Sequence, residues 1–475
     1  MVLGLLIVPL LGALVALLVR SNRHRPLVLV AVGVLHLGLT GALFAGWLAP
    51  PDSAWLWLDP PAKLILGLVS LLFVSCAVYA VGYLRFREAR VNKVFVSCYA
   101  ALLGALTLTM LARHLGLMWV GMEASALAAG PLIYFNHNPR SIEATWKYLL
   151  IGSVGVAIAL LGTFFLAYAA IHAGSAPSLR FDDLVTSAPH LSKPWLRAGF
   201  ALILVGYGTK MGLAPMHTWK PDAYGEAPGV AGAIFAGGVT SVAFLAILRV
   251  LRVCYAAGEG AHATRLLVGL GLFSMAMAGA LMVGQRDFKR MLAYSSVEHM
   301  GILALGVGIG KLGTFGAMLH LVANGLTKGV LFLSAANLHR GYDSRLTDKV
   351  RGALRGMPLS GGLFLAGFLA ITGAPPFAPF LSELTIARAA FAEGHAVAGG
   401  FFLAFLMVVF VGMGATVLKV TLGDGPAPST TWNDRAYTSF PIVALLAIVL
   451  FLGVVIPAPL GALLGDIVAY VEATP

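Results

Sequence analysis

The sequence predicts an all-α polytopic membrane protein with about fourteen transmembrane helices. Three observations predict it. Of the 475 residues, 59% are hydrophobic and only 11% are charged. The mean hydropathy of +0.89 is far from that of a water-soluble chain of this length. Apolar runs of about 20 residues, enough for a helix to cross the hydrocarbon core, recur from one end to the other.

The first run, VLGLLIVPLLGALVALLV, has neither a charged leader nor an A-x-A-like cleavage site. It reads as the first span and not as a removed signal peptide. From there the spans fall near 2–19, 26–49, 63–84, 95–112, 116–135, 145–172, 196–217, 228–248, 266–284, 291–310, 313–338, 358–392, 399–420 and 437–458. Two are interrupted. GLAPMH (212–217) breaks the seventh, where Pro215 removes a backbone donor. APPFAPF (374–380) breaks the twelfth, a run too long for one simple span. Odd-numbered connections carry the larger share of Lys and Arg, with RSNRHR, RFREARVNK and HRGYDSRLTDKVRGALR as the strongest markers. The positive-inside rule puts those loops in the cytoplasm and both termini on the opposite side of the inner membrane.

An internal repeat is visible. Arg113-His-Leu opens the fifth span and Arg290-Met-Leu the tenth, and each leads to an acidic residue, Glu123 or Glu298. Two spans later in each case comes an interrupted helix. An offset of five spans reverses topology, so the units read as inverted repeats, a pattern that points to an ion pathway. The expected organisation is a three-helix segment at 1–94, five-helix repeats at 95–255 and 262–423, and a C-terminal helix and tail at 424–475.

Composition also excludes classes. The net charge of +12 is scattered through loops, which reads as topology and not as a nucleic-acid surface. Cys76, Cys98 and Cys254 are isolated, so neither an iron–sulfur cluster nor a zinc site is expected in this chain. No Gly-rich phosphate motif opens a helix, so no nucleotide cofactor is expected either.

Four ionisable residues fall deep within apolar runs: Glu123, Lys210, Lys328 and Glu383. A charge at mid-bilayer costs roughly 2.5–3.5 kcal/mol on insertion scales, so such groups face a polar interior and pair. Lys210 precedes Pro215 by about one turn, and His217 follows, so freed carbonyls and the imidazole can solvate a proton there. His320, Asn324 and Lys328 share one helix face. A lysine whose carboxylate partner approaches or recedes loads or releases a proton, and a histidine between lysines can relay it. The competing reading makes Glu123 and Lys210 a static ion pair that locks the bundle. Weaker candidates are Lys147, which can snorkel from the sixth span, and Glu298 and His299, expected near the interface. His36 reads as a satisfied core histidine and Arg388 as reaching outward. Asp222 and Glu226 read as solvated loop residues.

At these residues the chain resembles the antiporter-like, proton-translocating subunits of respiratory complex I and energy-converting hydrogenases. The matching segments are WVGMEASALA, KYLLIGS, TKMGLAPMHTWKPDAYGEAPG, QRDFKRMLAYSSVEHMGILALG, HLVANGLTKGVLFL and PPFAPFLSE. AYSSVEHMGI and GAPPFAPFLSEL are most similar to hydrogenase-4 component F. The resemblance implies fourteen helices, two inverted five-helix units and broken seventh and twelfth helices. It implies roles for Glu123 as the fifth-helix carboxylate, Lys210 as the seventh-helix lysine, His320 and Lys328 as relay groups, and Glu383 as the exit group. Sister membrane subunits, lipids and a peripheral redox or soluble arm are the implied partners. Two departures stand out. The eighth helix offers Thr240 and Ser241 where relatives carry lysine, and Asn324 replaces a second histidine. The expected function is therefore a proton-translocating subunit of a redox complex. The rivals are a cation/proton antiporter component, the membrane partner of an inorganic-carbon uptake system, and a non-pumping anchor.

Overall fold

The computed structural model describes residues 3–174 and 178–473. Residue 2 of the expected first span and residues 474–475 of the expected C-terminal segment lie outside the described residues. Among the described residues only three isolated bridges depart from an all-helical architecture. The helices are α1 (Gly4–Leu18), α2 (Pro26–Phe44), α3 (Pro60–Phe86), α4 (Lys93–Leu111), α5 (Leu115–Ile133), α6 (Pro139–His172), α7 (Phe181–Ser187) and α8 (Lys193–Met211). They continue as α9 (Trp219–Glu226), α10 (Gly229–Ile234), α11 (Thr240–Ala256), α12 (Gly260–Met282), α13 (Phe288–Ile309) and α14 (Lys311–Tyr342). The remainder are α15 (Ala353–Gly356), α16 (Pro358–Ile371), α17 (Ala378–Ala392), α18 (Ala396–Leu422), α19 (Ala436–Val454) and α20 (Ala458–Glu472). Eleven helical stretches are long and apolar enough to cross a membrane, with α1 and α16 as shorter apolar helices. The chain is a multi-pass membrane protein.

The helices divide into an inner and an outer set. α14 is buried along nearly its whole length and packs on α3, α10, α13, α16, α17, α19 and α20. α11 and α13 are similarly enclosed. The outer helices turn large apolar side chains outward, among them Leu150, Val154 and Phe164 on α6 and Met407 on α18. Lipid or neighbouring helices are the environment such faces require. α6 and α8 approach backbone to backbone: a Cβ on Gly206 would lie 2.5 Å from the Ala159 nitrogen, and one on Gly162 would lie 2.8 Å from the Gly199 carbonyl. Small residues permit that contact between membrane helices.

Both expected helix breaks are present, and their cause is sharper than the prolines alone. α8 ends at Met211 because Gly212 adopts φ +84°, a left-handed cap that only glycine takes readily. Pro215 lies in the loop beyond, so it follows the break instead of making it. At the second break Gly373 has φ +70° and stands three residues before Pro376, the same spacing as Gly212 to Pro215. The expected tail is also corrected: Ala458–Glu472 is the helix α20, which packs on α14 and α11.

One buried ion pair ties the bundle together. Arg249 of α11 grips Asp59 with Nε–Oδ2 at 2.7 Å and Nη2–Oδ1 at 3.2 Å, both side chains fully buried. Arg249 also donates to the carbonyls of Ala112 and Met110, and Tyr470 of α20 donates to Asp59. Asp59 meanwhile caps α3 through the Ala62 amide. Every charge in this pair is answered by hydrogen bonds, which is what a buried pair needs to persist.

Candidate functional site: a row of buried ionisable groups

The first group gathers on α6, which stands between α5 and α8. Glu123 of α5 is half-buried and accepts from Ser153 Oγ at 2.9 Å. Lys210 of α8 is fully buried, with Nζ 3.3 Å from the Tyr148 hydroxyl and 4.6 Å from its ring centroid. Gly152 leaves the space that Nζ occupies, since a Cβ there would lie 3.2 Å from it. Among the described residues no carboxylate oxygen comes within 4.0 Å of Lys210 Nζ. The static Glu123–Lys210 ion pair of the competing reading is therefore not formed here: Glu123 meets Ser153 and Lys210 meets Tyr148, both side chains of α6.

The second group lies between α13, α14 and α17. Lys328 donates to Ser295 Oγ at 2.7 Å and approaches the Leu292 carbonyl at 3.5 Å. Glu298 and His299 are buried to 1% exposure each, which overturns their expected place near the interface. α13 begins at Phe288, so they stand roughly 15 Å into the helix. His299 Nδ1 lies 3.0 Å from His320 Nε2, and His320 Nδ1 lies 2.9 Å from Ser382 Oγ. Glu383 is buried beside this chain, with its carboxyl seated against Gly373 at the second break. Asn324 is buried between His320 and Lys328 on α14. The ligand atoms of His299, His320 and Glu383 lie within 4.8 Å of one another, a spacing a metal ion can use. Both nitrogens of His320 are already engaged, however, so the arrangement as it stands is a hydrogen-bond chain.

Several buried polar atoms along these groups have no hydrogen-bond partner in the protein: Glu123 Oε2, Glu298 Oε2, His299 Nε2, Asn324 Oδ1 and Glu383 Oε1, although Glu298 Oε2 and His299 Nε2 approach each other at 3.7 Å. Buried polar atoms without a protein partner are ordinarily hydrated, and each is a point where water can hand on a proton.

The weaker candidates separate. Lys147 is partly exposed and bridges Glu143 at 2.5 Å and Asp222 at 2.8 Å, a surface network at the start of α6. His217 is buried and packs edge-on to Tyr294, with no hydrogen bond to Lys210. Thr240 and Ser241 donate back to the carbonyls of Ala236 and Gly237 across a π-helical turn at Phe235–Val239. His36 is satisfied by Ser70 and Thr107, each at 3.0 Å, as expected of a core histidine. Arg388 is exposed.

Asp222 and Glu226 are corrected. They lie on α9, where Asp222 holds Arg290 at 2.6 Å and Glu226 holds Arg345 at 2.5 Å. Among the described residues four buried cations were missed by sequence reasoning: Arg25, Arg249, Lys289 and Lys220. Arg249 carried a signal, a charge inside the apolar run LAILRV. Lys289 donates to the carbonyls of Gly225 and Ala227, at the end of α9. Lys220 lay in a polar stretch that reads as loop.

Fold and site together define a class: a helical membrane protein with two glycine-broken helices and a buried row of lysine, histidine and glutamate. The chain belongs to the NADH:quinone oxidoreductase/Mrp antiporter transmembrane family, which matches residues 112–414. It is an antiporter-like membrane subunit of the complex I superfamily, the proton-translocating kind. It is 31% identical over 432 residues to the hydrogenase-4 component F homolog of Methylacidiphilum infernorum (isolate V4), covering 89% of this chain and 90% of that one. It is 34% identical over 342 residues to NADH-quinone oxidoreductase subunit N of Desulforudis audaxviator (strain MP104C), covering 71% and 67%. Its fold matches a chain of the membrane-bound sulfane sulfur reductase, an archaeal respiratory membrane complex. The TM-score is 0.89 at 21% identity, covering 99% of this chain and 97% of that one.

Proposed function

We propose that this chain moves protons across the membrane through Glu123, Lys210, Lys328, His299, His320 and Glu383, as one subunit of a multi-subunit redox complex. The complex would be of the hydrogenase-4 or NADH:quinone oxidoreductase type, like those its relatives are named for. Redox centres would sit in partner subunits, with none in this chain. One contrast carries the reading. Arg249, which locks the scaffold, holds its carboxylate in a two-point contact, whereas Lys210 and Lys328 are buried as deeply with only hydroxyl and carbonyl neighbours. Lysines kept without a contact counter-ion suit proton loading and release better than locking.

In this reading Glu123 tunes Lys210 through space, and Lys328 tunes Glu298. His299 and His320 pass a proton towards Glu383 at the second break, and water bridges the rest. The two breaks would belong to inverted repeats, the odd-numbered loops would face the cytoplasm and a peripheral arm, and both termini would face away. The apolar outer faces would meet lipid and sister subunits. A cation/proton antiport role is the alternative, favoured by the family's inclusion of Mrp antiporters.

The test is proton translocation by the assembled complex in proteoliposomes. Lys210→Ala and Glu123→Ala each reduce it while assembly persists. Normal translocation in both variants would refute the pathway, collapse of assembly would place Glu123 and Lys210 in the scaffold, and a sodium requirement would favour antiport.

A further inference from the structure

We infer that Lys220 is a proton carrier in the middle of the row, standing between Lys210 and the Lys328–Glu298 group. The inference rests on the proposed proton path and adds a residue to it.

Placement is the first argument. Lys220 is fully buried on α9, the short helix just after the first break. Its Nζ lies 2.8 Å from the Met211 carbonyl, the residue next to Lys210. It also lies 3.4 Å from the carbonyl of Ser296, which stands between Ser295, the Lys328 partner, and Glu298. One amine thus spans the end of α8 and the α13 segment that serves the second group.

Coordination is the second. An ammonium has three donors. Two acceptors are backbone carbonyls, and the Tyr224 ring centroid lies 5.6 Å away. Among the described residues no carboxylate lies within 4.0 Å of Nζ. A buried lysine without a counter-ion is costly to keep charged, so its amine can give up a proton and take one back.

The third argument is position against need. The eighth span brings only hydroxyls, Thr240 and Ser241, both committed to backbone carbonyls. Neither can hold a proton charge near neutral pH. Lys220 supplies a titratable nitrogen from a neighbouring element. It is also held in place. Trp219 Nε1 donates to the Thr209 carbonyl at 2.9 Å, and the far end of α9 is clamped by Arg290 and Arg345. Each step moves one proton from an N–H to a lone pair, with no change in oxidation state.

The test uses the assembled complex in proteoliposomes, comparing protons translocated per electron for wild type, Lys220→Gln, Lys220→Arg and Lys210→Ala. Gln keeps an N–H for the Met211 carbonyl but carries no proton. Arg keeps charge and donors but holds its proton throughout. Both Lys220 variants should assemble, transfer electrons and lose translocation several-fold. If either assembles and translocates at the wild-type ratio while Lys210→Ala does not, the inference falls and the proposed path stands. If Lys210→Ala also translocates normally, the path itself falls. Failure of both Lys220 variants to assemble would place the residue in the scaffold and equally overturn the inference.

Discussion

His299 and His320 face each other across α13 and α14 with Nδ1 of one 3.0 Å from Nε2 of the other and their rings 29° apart. Such a contact needs one N–H and one lone pair, so the two rings cannot both be fully protonated while it holds. The pair can take one extra proton or none. Ser382 fixes the outer nitrogen of His320, and Glu383 follows it in sequence.

Removing either ring should therefore interrupt transfer without dismantling the bundle. His299→Ala or His320→Ala is expected to lower proton translocation by roughly 10²-fold or more, the usual range for a lost proton-transfer group. His36→Ala is the control. Its ring serves only Ser70 and Thr107, so stability falls by about 1–3 kcal/mol and translocation per assembled complex is unchanged. Proton uptake in proteoliposomes, normalised to assembled subunit, measures both.

The Arg249–Asp59 pair should behave in the opposite way. Asp59→Ala leaves a fully buried guanidinium without its carboxylate and removes the cap of α3. A loss of about 3–5 kcal/mol is expected. Thermal unfolding in detergent should show a large drop in Tm, and any subunit that still assembles should translocate protons at the normal ratio.

A pH effect is expected outside the spans. Glu259 stands just before α12, and Arg197, bonded to it at 2.6 Å, holds its carboxyl below the ordinary 4.5. A carboxyl lowered in the folded state stabilises above its unfolded value and loses that contribution as pH falls through the folded one. Glu259→Gln should thus lower Tm at pH 7 by about 2 °C. The gap between variant and wild type should close as the pH falls through and below the ordinary carboxylate range.

Much of this was legible in the sequence, and what was not has physical causes. Glu123, Lys210, Lys328 and Glu383 announced themselves as charges in apolar runs, His320 by sharing the Lys328 helix face, and GLAP and GAPP marked the breaks. Glu298 and His299 were misjudged because a basic loop precedes them, yet about three helical turns carry them into the core. Lys220 was invisible because WKPDAYGE has too few apolar residues to read as buried. Its burial comes from the helices around it. Asp59 is 190 residues from Arg249, and no local pattern joins them. The α6 side chains that meet Glu123 and Lys210 were equally beyond a one-dimensional reading.

The central claim is that the second group carries protons through Lys328. The most direct measurement is protons translocated per electron by the intact complex in proteoliposomes, wild type against Lys328→Ala. Assembly and electron transfer are checked in the same preparation. The ratio is expected to fall by the contribution of this subunit while electron transfer continues. An unchanged ratio in fully assembled complex would contradict the account.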